Sequence, residues 1–305
     1  MRVLILALLL TSFHLFSSAS VLDSTQQNAD TTWTFSPTVS LFFSQNSYST
    51  YYKGGGINSL AFGSHFDLIA EYQKDNKTWS NQLQVRYGVL KMADQPIAKN
   101  EDDIILDSKF GVDLSDHLKI SGLLNFRTKM HDIYALDKQG QKGKRSGNFL
   151  APAFINLGSG LDYNSKDKSL SIFYTPVNSK VTIVMDESLR DQYLQNVEHG
   201  NAKYELGSLL RLEIKKQLME NITVHSVSTF FTNHLSNFGV FDVNIENKLN
   251  FKVNKLFKIH LLTQLVYDED ILFDIETPGE EDPAIKQGPR TQFREVLNIG
   301  LSHTF

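Results

Sequence analysis

Polar and apolar side chains alternate with a period of two along most of this chain. Between Phe241 and Val253 the odd positions are apolar except for Asn247, whereas the even positions are all polar. Similar alternation occurs at residues 79–89, 118–127 and 257–267. Successive side chains of a β-strand point to opposite faces, so this spacing predicts strands with one apolar and one polar face. A helical period of 3.6 fits none of these segments.

The alternating segments number twelve. They lie at residues 33–45, 57–73, 78–91, 103–114, 117–129, 150–163, 168–182, 202–216, 221–233, 239–253, 256–268 and 292–305. An even number of antiparallel strands brings both ends of the chain to the same side of a barrel, as in single-chain bacterial barrels.

The connections between these segments alternate in length. Short ones lie at 74–77, 115–116, 165–167, 217–220 and 254–255, and longer ones at 93–101, 130–149, 184–201 and 269–290. Barrels of the outer membrane join their strands by short periplasmic turns and longer outer loops. The sequence therefore predicts an all-β fold, a transmembrane antiparallel up-and-down β-barrel of about twelve strands. The link at 234–238 is short for an outer loop.

The first twenty residues resemble a secretory signal peptide. Arg2 precedes the apolar run Val3–Leu10, and the small residues Ser17–Ser20 follow. An N-terminal membrane anchor is the alternative, but the apolar run is shorter than the roughly 20 residues that a span needs. We predict a signal peptide at 1–20, a short periplasmic lead at 21–32 and a barrel at 33–305, located in the cell outer membrane of a Gram-negative bacterium.

Aromatic residues near the strand ends favour a membrane barrel over a soluble one. Trp79 and Tyr87 flank one apolar face, and Phe257 and Tyr267 flank another, as expected where strands meet the lipid headgroups. The chain ends on Phe305, which we predict to be an insertion signal. Periodicity alone would also fit a soluble sandwich or a lipocalin-like barrel with its apolar face inside. We predict outer-membrane lipid, lipopolysaccharide and the barrel insertion machinery as partners.

Composition excludes several classes of function. The chain has no cysteine, which excludes disulfides, a lipid anchor on cysteine and thiolate sites. Its net charge of -4 shows no basic excess, so nucleic acid is not a predicted partner. No cofactor is predicted.

Several short motifs occur in a characteristic order. They are Trp33, Phe43–Tyr48, Tyr52–Leu60, Asn125–Arg127, Phe149–Ala153, Gly158–Tyr163, Tyr267–Ile271 and Gly300–Phe305. In this order they resemble a Bacteroidetes outer-membrane β-barrel family known only as a domain of unknown function, whose members carry Trp-x-x-Gly-Gly-x-Asn-Ser after the first strand. Here Tyr52 replaces the tryptophan, followed by Lys53 and an extra glycine. The resemblance implies fold and compartment, and brings no substrate or catalytic residue.

If the apolar faces contact lipid, the polar faces line the lumen. The predicted lumen residues are His65, Asp67, Glu71, Arg86, Asp107, Lys109, Asp113, Lys119, Arg127, Glu205, Arg211, Glu213, Lys215, Asp242, Glu246, Lys248, Lys258 and His260. A pore selective for one sign of ion shows a ring of one charge, so this mixed set favours a salt-bridged interior. Twelve strands permit passage of a small solute, since eight leave a filled interior and sixteen an aqueous channel.

These features leave two classes of function. The first is a narrow channel or transporter for small solutes, or a barrel subunit of an envelope complex whose protein partners the sequence does not identify. The alternative is a lipid-modifying hydrolase of the phospholipase or lipid A deacylase type, which needs a histidine beside a serine or water. His225 and Ser226 are adjacent, with Ser228 and His234 nearby, but neighbouring strand residues point to opposite faces. We therefore predict no catalytic residue.

Three outer loops carry weaker signals. Asp268, Glu269 and Asp270 open an acidic loop that holds enough oxygen donors for Ca²⁺ if they converge, although a solvated loop is the simpler interpretation. The segment 137–148 is basic and rich in glycine, which predicts a mobile polar loop within reach of lipopolysaccharide phosphates. A tight outer loop is predicted around Tyr51, Tyr52, Gly54, Gly55 and Gly56, because glycine permits conformations closed to other residues.

Overall fold

We describe the fold from a computed structural model, which describes residues 32–47, 58–93, 95–136, 142–194, 197, 200–275 and 286–305. In these ranges no helix is long and apolar enough to cross a membrane. The predicted signal peptide and all but Thr32 of the predicted lead lie outside the described residues. The outer-loop candidates Tyr51, Tyr52, Gly54, Gly55 and Gly56 also lie outside them.

Twelve antiparallel strands close into one barrel, which confirms the predicted fold. Numbered in chain order, the barrel strands are β1 (Trp33–Asn46), β2 (Ser59–Lys74), β3 (Lys77–Met92), β4 (Ala98–Asp113), β5 (Leu118–Thr128), β8 (Ala153–Asn164), β9 (Leu170–Ile183), β10 (Ala202–Met219), β11 (Ile222–Asn233), β12 (Asp242–Lys252), β13 (Phe257–Tyr267) and β16 (Gln292–Thr304). Each strand pairs with its neighbours in chain order, and β16 closes the barrel against β1.

Two small hairpins stand outside the barrel sheet. They are β6 (Ile133–Leu136) with β7 (Lys142–Gly147), and β14 (Leu272–Ile275) with β15 (Lys286–Pro289). Both interrupt segments that the sequence predicts to be loops. The strand β4 also begins five residues before its predicted start, because a bulge opposite Gly88 and Val89 lets a polar stretch extend the strand.

The connections define two ends of the barrel. Links at 75–76, 114–117, 165–169, 220–221 and 253–256 lie at one end, which we call the turn end. The longer links lie at the opposite end, the loop end, and they contain both hairpins. The predicted alternation of short and long connections is therefore present. The link between β11 and β12 runs from 234 to 241, longer than the predicted 234–238.

The outward face of the barrel is apolar. Large apolar side chains that stay exposed there include Phe35, Val39, Leu41, Phe43, Leu157, Leu161, Val177, Leu297 and Ile299. At the turn end, Trp33, Tyr72, Trp79 and Phe110 lie in register on four adjacent strands. The ring centroids of Trp33 and Tyr72 are 5.3 Å apart, and those of Trp79 and Phe110 are 6.5 Å apart. An apolar belt with an aromatic girdle is typical of a transmembrane barrel.

Two loop-end segments pack together beside the barrel mouth. Ala151, Val184, Leu189 and Leu194 form a buried apolar cluster, against which Tyr193 packs. The second segment contains a 3-10 turn at Glu187–Leu189 and the short helix α1 (Arg190–Tyr193).

The prediction of a mobile basic loop at 137–148 is wrong for residues 142–147, which form β7. Arg145 of this strand donates to Asp186 across 2.5 Å and to Asp132 across 3.3 Å. These ion pairs and the backbone pairing with β6 order the segment despite its glycines. Lys138 lies outside the described residues.

The closure between β1 and β16 spans five residue pairs, from Thr38–Thr304 to Phe42–Gly300. Gly300 permits a close approach of the two strands, since a Cβ there would lie 2.0 Å from the carbonyl oxygen of Leu41. Phe305 donates its backbone N–H to the carbonyl oxygen of Pro37, and its side chain is exposed beside the ring of His303. The residue predicted to be the insertion signal therefore lies on the turn-end rim.

Candidate functional site in the barrel interior

The strand register places the residues predicted to line the lumen on the inward face. Arg86 pairs with His65 on one side and Asp103 on the other, so one inward row crosses β2, β3 and β4. The side chains that meet near mid-height are His65, Asp67, Arg86, Arg127, Glu246, Lys248 and His260; Glu205 and Asp242 lie towards the loop end, and Glu71, Asp113, Lys119, Glu213, Lys215 and Lys258 towards the turn end.

Four of these residues, Arg86, Arg127, Glu246 and Lys248, form what we call the central ion network. The Glu246 carboxylate lies 3.2 Å from Lys248 Nζ, 3.3 Å from Arg86 Nη2 and 3.6 Å from Arg127 Nη2. Since β3 and β5 stand across the lumen from β12, both arginines reach this carboxylate from the opposite wall. Lys248 also donates to Gln84 on the far wall across 2.7 Å. Side-chain contacts thus cross the lumen at mid-height.

A second group of charges surrounds Asp103, which is 1% exposed. Its carboxylate contacts Lys129 Nζ at 2.8 Å, Arg294 Nη1 at 3.2 Å and Arg127 Nε at 3.8 Å. The neighbouring Glu101 accepts from His65 at 2.6 Å. Burial of one carboxylate among several cations satisfies the requirement that buried charges be paired.

A third group surrounds Lys180, which is 8% exposed on β9. Its ammonium contacts Asp242 at 2.6 Å, Asp268 at 3.1 Å and Glu205 at 3.6 Å. This arrangement differs from the calcium hypothesis for Asp268, Glu269 and Asp270. Asp268 binds Lys180, Asp270 pairs with Lys203 at 2.5 Å and Glu269 accepts from Asn237, so the three carboxylates do not converge. Among the described residues, no group of three or more side chains is arranged to hold a metal ion.

Towards the turn end the charges pair locally. Arg211 donates to Asp107 at 3.0 Å, and Lys109 lies 2.8 Å from Asp162. His225 points inward and contacts Glu213 at 2.9 Å. Further contacts there join Lys119 to Asp113, Lys215 to Glu213 and Lys258 to Ser302. Every one of these pairs joins opposite charges or a charge and a hydroxyl, so the interior is a salt-bridged network of both signs.

Two cavities lie along the lumen. The loop-end cavity has a volume of about 370 Å³, and the turn-end cavity about 930 Å³. Gln82, Asp107 and Arg211 line both cavities and therefore stand between them. The loop-end cavity is amphipathic, because Ile105, Phe154, Phe231, Val266 and Tyr193 line it together with the charged groups.

An apolar cluster covers one wall of the lumen. Leu123, Phe173, Leu209 and Phe231 are buried against one another on inward-facing positions. They fill part of the lumen with apolar side chains, next to inward charges on the same strands such as Arg211, which pairs with Phe173.

Loop-end residues lie outside the membrane-spanning strands and have shifted pKa values. Hydrogen bonds from Ser188 and from Arg145 hold the pKa of Asp186 at about 2. The same contact network raises the pKa of Arg145, chiefly through Tyr134 and Asp186. Burial raises the pKa of Tyr193, whose hydroxyl donates to the Ser146 carbonyl at 2.9 Å. Asp186 therefore stays ionised over the physiological range and ties the two loop-end segments together.

On the outward face, one serine meets one histidine. Ser208 Oγ on β10 lies 2.8 Å from His234 Nε2 at the loop end of β11, and it also donates to the Pro176 carbonyl at 3.1 Å. The residues weighed in the sequence are apart, because His225 points inward to Glu213 whereas Ser226 points outward and donates to Asn247. The opposite orientations of His225 and Ser226 agree with the sequence analysis, which did not single out Ser208 because it is distant from His234 along the chain.

Several interior charges were absent from the predicted set: Glu101, Asp103, Lys129, Lys180 and Arg294. A signal for them exists in the sequence, because Asp103 is in phase with Asp107 and Lys109, and Arg294 is in phase with Asn298 and Ser302. Glu101 was assigned to a loop because the bulge in β4 shifts the alternation there.

Comparison with known proteins supports the predicted resemblance. Residues 43–134 match the family described as Protein of unknown function (DUF3078). The resemblance to a family of unknown function is thereby confirmed over this stretch, while the Bacteroidetes origin and the glycine motif stay predictions. No curated protein matches the chain at a significant level.

The chain is also similar, at low identity, to solved outer-membrane barrels. The translocator domain of the autotransporter NalP from Neisseria meningitidis is 11% identical, with 90% of this chain and 88% of that chain covered and a TM-score of 0.37. An outer membrane channel from Pseudomonas putida F1 is 12% identical, with 89% and 95% covered and a TM-score of 0.38. The P. putida toluene transporter TodX is 12% identical, with 90% and 79% covered and a TM-score of 0.31.

Proposed function

We propose that this protein is an outer-membrane β-barrel that acts as a narrow, gated passage for small solutes. A closed barrel pairs its strand edges with one another, as lipid requires, except along part of the β1–β16 junction, and its apolar belt and aromatic girdle suit a bilayer. The observation that carries the proposal is the central ion network, where Arg86 and Arg127 reach Glu246 from the opposite wall of the lumen. Arg127, Glu246 and Lys248 of this network line the loop-end cavity.

The network acts as the gate in this proposal. A solute that moves along the lumen must separate Glu246 from its cations, and its own polar groups can replace those contacts one at a time. Mixed signs line the passage, so we expect weak selectivity between anions and cations. Small polar solutes, rather than bare ions of one sign, fit this lining.

Single-channel conductance of the refolded mature chain in a planar bilayer tests the proposal. We expect rare, small openings for the wild-type protein and more frequent openings for Glu246→Ala, because the cross-lumen contacts are lost. Glu220→Ala is the matched control, since Glu220 lies exposed in the turn between β10 and β11. A folded Glu246→Ala variant with no conductance above that of the control would overturn the gate.

We further propose the partners of the two barrel ends. At the loop end, the exposed Lys144 and the neighbouring Arg145 meet lipopolysaccharide phosphates, which bind basic side chains. At the turn end, the exposed Phe305 serves as the signal for the insertion machinery. Deleting Phe305 and measuring assembly in cells, with Phe293→Ala as an exposed aromatic control, tests the second point.

Lipid hydrolysis is a second candidate function, favoured by the Ser208–His234 contact. A histidine within hydrogen-bond distance activates a serine nucleophile, and this pair faces the bilayer near the loop end. A fluorophosphonate probe tests it, with Ser228→Ala as a control at another serine of the outward face. Labelling that disappears in Ser208→Ala supports this candidate, and a lack of labelling in the wild-type protein removes it.

A further inference from the structure

The first and last barrel strands are joined along only part of their length. Within the described residues, the β1–β16 ladder ends at the pair Phe42–Gly300. The strand β1 continues to Asn46 and pairs with β2 along its whole length, and β16 extends back to Gln292 and pairs with β13 throughout. The loop-end half of this junction, which we call the β1–β16 gap, therefore has no ladder between the two strands.

The gap leaves backbone groups of β16 directed at β1. Phe305 donates its N–H to Pro37 on the β1 side, and Ser302 donates to Leu256 on the β13 side. Since antiparallel residues alternate between their two neighbours, Leu297 and Ile299 direct their N–H and C=O groups towards Gln45 and Phe43 of β1, with which they form no ladder. Backbone N–H and C=O groups without a partner cost free energy in hydrocarbon, so the gap locally destabilises the barrel wall.

The side chains of β1 agree with this separation. Ser44 and Asn46 belong to the inward set of their strand, yet they are exposed, as are their outward neighbours Phe43 and Gln45. The end of β1 therefore separates from β16 while it stays paired with β2.

The loop-end cavity borders the gap on the inside. Gln292 and Arg294, both on the unpaired half of β16, line that cavity. Arg294 then reaches past the gap to β4, where it contacts Asp103 at 3.2 Å and Glu101 at 3.5 Å. The Arg294 side chain therefore crosses the inner side of the gap and links β16 to β4.

The lipid side of the gap carries a polar row within the apolar belt. Glu295, Thr263, Asn247 and Ser226 are paired in register across β16, β13, β12 and β11. Asn247 accepts from Ser226 at 2.6 Å and donates to Thr263 at 3.2 Å. A charged residue on the lipid face is destabilising near the bilayer centre, so such a row is unexpected on a purely structural barrel.

We propose that the β1–β16 gap is a lateral passage between the loop-end cavity and the bilayer, and that it takes single-chain amphiphiles. The inference rests on the proposed transport function and names its substrate class. An apolar chain fits beside Phe231, Ile105 and Val266, while the charged groups of the cavity receive the polar head. The cavity volume of about 370 Å³ lies at the lower end of small-molecule sites, roughly 300–1,000 Å³, and excludes a whole phospholipid. The polar row provides hydrogen-bond partners for the polar head when the amphiphile moves between the cavity and the bilayer.

Engineered cysteine pairs test whether the gap exists, since the natural chain has no cysteine. Leu41→Cys with Leu301→Cys lies in the paired stretch, and Gln45→Cys with Leu297→Cys lies four residues further along the same register. A disulfide needs Cα atoms within about 7 Å. We expect an oxidant to bridge the first pair and a short bismaleimide to be required for the second. Equal disulfide formation in both pairs would overturn the inference.

Fluorescence quenching in vesicles tests the passage itself. The reporter is Val266→Trp in a Trp33→Phe, Trp79→Phe background, with Thr229→Trp as a second reporter in case the first does not fold. The probe is 12-bromododecanoic acid in phosphatidylcholine vesicles. We expect quenching in the unlocked barrel, loss of quenching when bismaleimide locks Gln45→Cys to Leu297→Cys, and unchanged quenching with the Leu41→Cys, Leu301→Cys lock.

Quenching of the same tryptophan by iodide distinguishes an error in the lateral passage from an error in the transport proposal. Iodide reaches the reporter through water, so its quenching reports access from the barrel mouth. Quenching by iodide but not by the brominated acid would overturn the lateral passage and leave the axial gate intact. Quenching by the brominated acid that survives the gap lock would show access from the mouth, and would also overturn it.

Discussion

Replacing Glu246 with alanine removes the carboxylate on which the central ion network depends. Arg86 is 3% exposed, and it loses its ion pair at 3.3 Å while it keeps the hydrogen bond with Gln84. Arg127 keeps Asp103 at 3.8 Å, and Lys248 keeps Gln84 at 2.7 Å. The main consequence is therefore one buried guanidinium without a counterion.

The size of the effect follows from burial. Removing one partner of a buried ion pair costs about 3–5 kcal/mol, because the other charge stays buried and uncompensated. Glu246 is 16% exposed and two of its three cations keep other partners, so we expect the lower end, about 3 kcal/mol. At 1.4 kcal/mol per tenfold, this corresponds to a roughly hundredfold shift of the unfolding equilibrium towards the unfolded chain.

Urea unfolding of the refolded barrel in detergent micelles, followed by the heat-modifiable gel shift, measures this change. Glu220→Ala is the control, because it removes the same side chain from an exposed turn and we expect no loss of stability. Glu246→Gln should cost less than Glu246→Ala, since the amide oxygen still accepts from Arg86. Equal midpoints for Glu246→Ala and the wild-type protein would refute the claim that this carboxylate holds the interior together.

Three other changes test the wall, the closure and the loop end. If the exposed Leu157 faces the bilayer centre, Leu157→Arg should lower the free energy of unfolding in urea by roughly 2–4 kcal/mol. Leu157→Ala should lower it far less. Equal losses for the two variants would contradict a lipid-facing wall. Gly300→Val should abolish the folded, heat-modifiable form because its Cβ would meet the Leu41 carbonyl at 2.0 Å, whereas Gly122→Val has open space; normal folding of Gly300→Val would contradict the close approach. Asp186 has a pKa lowered from 3.8 to about 2, so its stabilisation of the loop end is present above pH 3.8 and lost as the pH falls through 2. The protection of the backbone amides at 142–147 against hydrogen exchange should fall as the pH drops through that window in the wild-type protein. In Asp186→Asn we expect this protection to be low at every pH. A loss of protection near neutral pH in the wild-type protein would contradict the assignment.

The alternation of polar and apolar residues determines the barrel in this protein. Side chains of a strand alternate between its two faces. Because one face contacts lipid and the other faces polar groups, the sequence alternates between apolar and polar residues over ten residues or more. This is why the segment ending in Val253 could be assigned without any tertiary information. The same logic placed Arg86 and Glu246 inside, since a slip of one residue would expose every apolar side chain to the lumen.

The sequence did not predict the bulge in β4 or the hairpin β6–β7. The bulge in β4 inserts Asn100 and breaks the alternation, so Glu101 was assigned to a loop. The hairpin β6–β7 depends on Arg145 meeting Asp186, which lies far along the chain. Glycine content predicted mobility there, but ion pairs and backbone pairing with another segment outweigh the local preference.

The sequence by itself determined the number of strands, their direction and the face on which each side chain lies, because these depend on neighbours one or two residues apart. The tertiary structure alone decided which charges meet, such as Arg86 with Glu246 and Lys180 with Asp268. It also decided that β1 and β16 pair along only part of their length. Contacts across a lumen depend on the curvature, tilt and stagger of twelve strands together, and no local pattern in the chain encodes those distances.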